Sequence, residues 1–223
     1  MEGEIMAVDT AVVPAVLTGN KEEYATIIKD LNRFAKRVQV DITDGDFVPT
    51  TTIPLSNVWW PKEWRLDIHL MVSRPSETVE TLSQLRPSLA IFPAETGENL
   101  LPTFQKIKEL GIRTGVALLK TTFPGKVAQY IQAADHVLIM GGDLGRQGGK
   151  IDMMQIEKVP LIRKINQKVE IGWDGGINIE NIRAIAHSGV DVLNVGNAIQ
   201  GATDREKAYK ELVAEAEKRG VRV

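Results

Sequence analysis

Apolar residues in this chain recur with two periods that take turns along its length. In "VQVDIT", Val38, Val40 and Ile42 fall on one face of an extended segment, and Gln39, Asp41 and Thr43 fall on the other. In the segment before it, Tyr24, Ile27, Ile28, Leu31 and Ala35 repeat at helical spacing, which predicts an amphipathic helix over 21–37. The same alternation predicts strands over 11–17, 38–44, 66–72, 88–95, 113–119, 136–142, 169–176 and 190–197. Helical patterns lie at 75–86, 99–110, 124–134, 153–165 and 178–189, with Gly111 closing the second of these. A last helix is expected from Thr203, where Glu206 three residues on completes a capping-box pattern.

About eight strand–helix units at an even repeat, with no linker-like break, leave two candidate architectures, a doubly wound open sheet and a closed (β/α)8 TIM barrel. The count and the length favour the barrel, as one domain over residues 1–223. A barrel strand has one face toward the helices and one toward the interior. Val38, Val40 and Ile42 then pack under helices, while Gln39 and Asp41 point inward. Active sites of such barrels lie at the C-terminal ends of the strands. Those ends carry Asp41, Asp44, His69, Met71, Glu95, Met140 and Asp174, and strand parity lets Asp41, His69 and Asp174 converge on the axis. Each alone could be a satisfied core polar group or a loop cap; three on one rim favour a site.

Composition narrows the chemistry. The 223 residues are 43% hydrophobic with a net charge of −2, and no basic cluster points to nucleic acid. The absence of cysteine excludes disulfides, thiolate metal sites and cysteine nucleophiles. The opening "MEGEIMAVDT" lacks the apolar core of a signal peptide, and no apolar run reaches the roughly 20 residues of a membrane span. A cytoplasmic protein without membrane contact is expected. The three tryptophans of "VWWPKEW" are expected to pack over a barrel end or a subunit contact.

Glycines cluster after strands six, seven and eight, in "GGDLGRQGGK", "DGGIN" and "VGNAIQG". Exposed backbone N–H groups on neighbouring loops suit a phosphate, although glycines also serve ordinary turns. The candidate binding positions are Gly145, Gly148, Gly175, Gly176, Gly196 and Asn197.

Taken together, "VDITDGDFVPT", "DIHLMV", "VLIM" with its glycine-rich loop, "WDGGIN" and "VGNAI" resemble the D-ribulose-5-phosphate 3-epimerase family over nearly the whole chain. The resemblance implies a (β/α)8 epimerase that inverts C3 of a ketose phosphate through an enediolate. It maps the acid/base aspartates to Asp41 and Asp174, and the methionines over the enediolate to Met71 and Met140. It implies a divalent metal held by two histidines and the two aspartates, and self-association into homo-oligomers.

This chain departs from that pattern mainly at the metal. Gln39 stands where the family has its first histidine, so the expected ligands are Asp41, His69, Asp174 and Gln39. An amide oxygen is a harder, weaker donor than imidazole, which disfavours zinc relative to manganese or magnesium. Neither His136 nor His187 is placed to fill the gap. Ala15, Pro93, Lys120 and Asp143-Leu144-Gly145 also differ from the family pattern. Three readings follow: an epimerase with an altered metal site, an enzyme for another sugar phosphate, or a non-catalytic sugar-phosphate-binding barrel.

Overall fold

A computed structural model describes residues 10–146 and 148–218. The acidic opening segment considered above as a targeting signal lies outside the described residues apart from its last residue, Thr10. The strands are β1 (Ala11–Val16), β2 (Arg37–Thr43), β3 (Arg65–Met71), β4 (Leu89–Pro93), β5 (Arg113–Leu118), β6 (His136–Met140), β7 (Glu170–Asp174) and β8 (Val192–Val195). They pair in parallel in chain order, and β1 also pairs with β8, which closes the barrel. The helices are α1 (Lys21–Leu31), α2 (Val79–Leu85), α3 (Leu100–Glu109), α4 (Ala128–Ala133), α5 (Lys158–Ile165), α6 (Ile182–Ala186), α7 (Asn197–Gln200) and α8 (Arg205–Ala216). No helix among the described residues is long and apolar enough to cross a membrane.

Several helix ends differ from the periodic pattern, among them both ends of α6, which covers Ile182–Ala186 of the expected 178–189; two others have a plain local cause. Helix α1 stops at Leu31, six residues early, because Arg33 and Phe34 bond back only three residues, to Asp30 and Leu31. The turn still carries Ala35 into the core, so the apolar spacing outlives the helix. Helix α8 is capped by Asp204, whose carboxylate accepts from Lys207 N at 3.0 Å, and not by Thr203. Glu206 instead pairs with Arg33 and Lys210. Between β2 and β3 there is no α-helix, only a single 3-10 turn at Leu55–Asn57 and the tryptophan segment. There Trp64 is buried with its indole N–H on Asn32, while Trp59 stands edge-on to Tyr24.

Strand parity divides the core. Outward positions such as Val38, Val40, Ile68, Leu70, Ile171 and Trp173 join one large apolar layer with the helices. The barrel interior is split. Leu89, Ile91, Ala117, Leu138 and Met140 make its apolar side, on β4 to β6. Gln39, Asp41, Asp67, His69 and Asp174 make its polar side, on β2, β3 and β7. Glycines make room for the larger neighbours: a Cβ on Gly172 would lie 2.6 Å from His136 Nε2, and one on Gly115 would lie 2.8 Å from Ile91 Cγ1.

The N-terminal mouth is closed by charge. Arg37 donates through both guanidinium NH2 nitrogens to Glu170, at 2.9 and 2.8 Å, and through Nε to the buried Asp67 at 2.6 Å. Arg113 reaches Glu170 at 3.1 Å, and His136 Nδ1 lies 2.9 Å from it. Burial pushes the Glu170 carboxyl up, but the bonds and charges of His136 and Arg37 outweigh it and hold it well below the carboxylate range. Burial dominates at Asp67, whose carboxyl is raised despite Arg37. Because Glu170 is depressed, its contribution is fully present above its unfolded pKa and is lost as pH falls. Glu170→Gln should therefore cost about 2 kcal/mol at neutral pH, leaving Arg37 underpaired. Denaturant titrations should show the gap to wild type narrowing below about pH 4, where the unfolded Glu170 takes up its proton.

Candidate active site

At the C-terminal mouth, register puts Asp41 opposite His69 and Asp174 between Met140 and Asn194. One nitrogen of His69 and one oxygen of each aspartate lie within 4.8 Å of one another, so this trio could hold a metal ion. His69 is fully buried. Its Nδ1 is 3.6 Å from Asp41 Oδ1 and 3.8 Å from Asp174 Oδ2, beyond hydrogen-bond length, and neither ring nitrogen has a partner. Buried nitrogens are normally bonded, so an unsatisfied Nδ1 facing two carboxylates fits a cation's donor set.

Gln39 sits between the same carboxylates, and its arrangement differs from the expected one. Its Nε2 donates to Asp41 Oδ1 at 2.8 Å and to Asp174 Oδ2 at 2.6 Å. The carbonyl oxygen, expected as a ligand, is buried and unpartnered. Burial first, and then the charge of Asp41, push the Asp174 carboxyl up to about 7, against the opposing pull of His69, Gln39 and the Gly175 N–H.

A cavity of about 230 Å³ opens over this floor. It is lined by Asp41 and Asp174 below, by Gly148, Gly175, Gly176, Gly196 and Asn197 on the side of the last three loops, and by Ala15 of β1. Gly145, Met71 and Met140 are not among its lining residues. Gly145 packs against the β2–β3 loop, where its Cβ would meet Thr50 and Val48, and it adopts φ +66°. Met71 and Met140 are buried at the ends of β3 and β6, and Met140 joins the apolar interior. Asp44 and Glu95 serve loops. Asp44 accepts from Asp46, Phe47 and Ser73, and Glu95 accepts from Leu119 N and the Thr122 hydroxyl.

Arg146, Gly149, Ile177, Asn178 and Ala198 line the cavity without having been singled out in the sequence, and one of them is charged. Arg146, inside the glycine-rich loop after β6, is the only cationic side chain lining the cavity among the described residues. A basic residue embedded in a glycine cluster was the available signal. Its loop is tied to both neighbours, by Lys120 Nζ on Asp143 at 2.7 Å and by Gly145 against the β2–β3 loop. Lys158 holds the Lys120 side of this arrangement, donating to the carbonyls of Leu119 and Lys120, and burial lowers its ammonium to about 8.

The fold and this floor of inward carboxylates define a parallel (β/α)8 barrel with its site at the C-terminal mouth. Among solved structures, the chain resembles 3-hexulose-6-phosphate synthase from Salmonella typhimurium at TM-score 0.67 and 15% identity, over 92% of this chain and 97% of that one. It also resembles orotidine 5'-phosphate decarboxylase from Pyrococcus horikoshii OT3 at TM-score 0.66 and 14% identity, over 94% and 100%. At that identity the likeness is one of fold. Sequence goes further. The pattern of the ribulose-phosphate 3 epimerase family matches residues 11–200. The ribulose-phosphate 3-epimerase of Helicobacter pylori (strain ATCC 700392 / 26695) is 31% identical over 90% of this chain and 95% of its own length. That of Bacillus subtilis (strain 168) is 30% identical over 90% and 97%. The chain belongs to the ribulose-phosphate 3 epimerase family.

The glycines after β6 and β7 also have a steric reason to be there. Gly175 adopts φ +97°, and a Cβ on it would lie 2.6 Å from Gly142 Cα, while one on Gly176, at φ +75°, would lie 2.6 Å from Ile151 Cβ. Gly175→Ala should therefore destabilise the protein by about 2 kcal/mol or more, through left-handed strain plus a backbone clash. Chemical denaturation measures this directly.

Proposed function

We propose that this protein is an epimerase that inverts C3 of a ketose phosphate, with Asp41 and Asp174 as its acid/base pair. The observation that carries the reading is the approach of two carboxylates from β2 and β7 on the cavity floor, with the Asp174 carboxyl pushed up to about 7. A group poised there can hold a proton or accept one at neutral pH. One carboxylate takes the C3 proton, and the C–H electrons become the C2–C3 double bond of an enediolate as charge moves to the C2 oxygen. The other carboxyl then delivers a proton to the opposite face of C3. Inversion needs two groups, because a single base returns its proton to the face it came from.

His69, Asp41 and Asp174 are the residues that would hold a divalent cation; one nitrogen and two carboxylate oxygens suit zinc or manganese. Such an ion supplies positive charge beside the oxygens of the enediolate. The apolar interior formed by Leu138, Met140 and their neighbours borders the site and keeps its dielectric low. The glycine-lined wall offers backbone N–H groups to the substrate phosphate, and Arg146 adds a charge-assisted contact. The names of the relatives point to ribulose 5-phosphate as the first substrate to assay.

Asp41→Asn and Asp174→Asn should each lower kcat on ribulose 5-phosphate by about 10³-fold or more, with unchanged melting profiles. Near-wild-type turnover in either variant would remove that residue from the pair. Arg146→Ala should lower kcat/KM by about 10- to 100-fold, mostly through KM, as expected for one charge-assisted contact. It should weaken inhibition by inorganic phosphate in parallel. An unchanged inhibition constant for phosphate would place the anion elsewhere.

A further inference from the structure

The two carboxylates on the cavity floor repel each other. At the 4.8 Å limit of the cluster, two full charges at an effective dielectric of ~20 repel by about 3 kcal/mol. Neither nearby arginine relieves this: Arg37 is committed to Glu170 and Asp67 at the far mouth, and Arg146 lines the upper cavity, while the His69 Nδ1 faces both carboxylates from beyond hydrogen-bond length, at 3.6 and 3.8 Å. What lies between the carboxylates is the Gln39 amide, fully buried, with one nitrogen donating to each. With both carboxyl groups ionised, this is the orientation that satisfies them. Turned over, the amide would place its oxygen less than 3 Å from two carboxylates and lose both bonds.

We infer that Gln39 stands in for the cation: its NH2 group bridges Asp41 and Asp174, holds them in register for proton transfer without a bound metal, and competes with metal binding. Gln39 is then a positioning residue and not a fourth ligand. A cation bound between His69 and the aspartates would compete with the amide for Asp41 Oδ1 and Asp174 Oδ2, the oxygens that face the His69 Nδ1, whereas the imidazole that the family pattern has at this position would add a donor. The unpartnered Gln39 Oε1 fits this arrangement, because the site uses only the nitrogen end of the amide. The catalytic half of the inference rests on the acid/base reading above; the structural half does not need a substrate.

The decisive experiment is a zinc and manganese titration, by calorimetry, of wild type, Gln39→Leu and Gln39→His. If Gln39 competes, deleting its donor in Gln39→Leu should raise metal affinity by roughly tenfold. Gln39→His should raise it further. If Gln39 is a ligand through its oxygen, Gln39→Leu should lower affinity, and that result overturns the inference. Should Gln39→Leu fail to fold, NMR on the metal-free wild type decides. The Gln39 side-chain N–H signals should be shifted downfield and slow to exchange; free-amide shifts and fast exchange would overturn the bridge. Turnover of ribulose 5-phosphate after exhaustive chelation reads the catalytic half. Wild type should keep most of its activity while Gln39→His loses it, and complete loss by chelated wild type would overturn metal-free positioning. A protein that shows the titration pattern but turns over no ribulose 5-phosphate, chelated or metal-loaded, keeps the bridge and refutes the functional reading instead.

Discussion

Two like charges in a nearly dry space have to be separated, neutralised or joined by a donor, and this requirement governs the C-terminal mouth of the barrel. Barrel closure fixes the problem in place. Residues on the interior face recur every second position, so a carboxylate ending β2 and one ending β7 are both aimed at the axis. The chain meets the requirement with one buried amide and one buried imidazole. The rise of the Asp174 carboxyl to about 7 reflects first its burial and then the charge of Asp41, which these two groups only partly offset.

The opposite mouth meets the same requirement by pairing. Arg37, Arg113 and His136 surround Glu170, and Arg37 also serves Asp67. There the charges are matched nearly one to one, and the bonded geometry leaves little for a ligand to do. At the C-terminal mouth the trio of Asp41, His69 and Asp174 is left short of positive charge and of hydrogen bonds. The contrast marks the C-terminal mouth, on electrostatic grounds alone, as the end whose polar groups are left unmet, and barrels of this class carry their active sites at that end.

Much of this was legible in the order of residues. Period-two alternation in "VQVDIT" and "DIHLM" marks the inward face, and parity alone groups Asp41, His69 and Asp174. What was not legible depends on partners distant in sequence. The direction in which the Gln39 amide points is set by Asp174, 135 positions away. Methionine positions could be assigned to strand ends, but their distance from the cavity depends on how β4 to β6 fill the interior. The end of α1 was masked because a non-helical turn kept Ala35 on the apolar face, and the cap of α8 turned on which of two adjacent acceptors reached the backbone first. Arg146 was visible as a letter, but its place over the cavity comes from the ties of its loop, through Asp143 to Lys120 and through Gly145 to Val48 and Thr50.

Strand β7 is five residues long, yet its first residue anchors the ion cluster at one mouth and its last forms part of the site at the other. Gly172, midway, is small enough to admit the His136 ring. The strand therefore has no inward position that can vary independently. A shift by one residue would take Glu170 from Arg37 and Asp174 from Gln39 at once. In evolutionary terms, such a strand constrains its inward face as one unit, which leaves the outer faces and the loops as the places where single changes cost least.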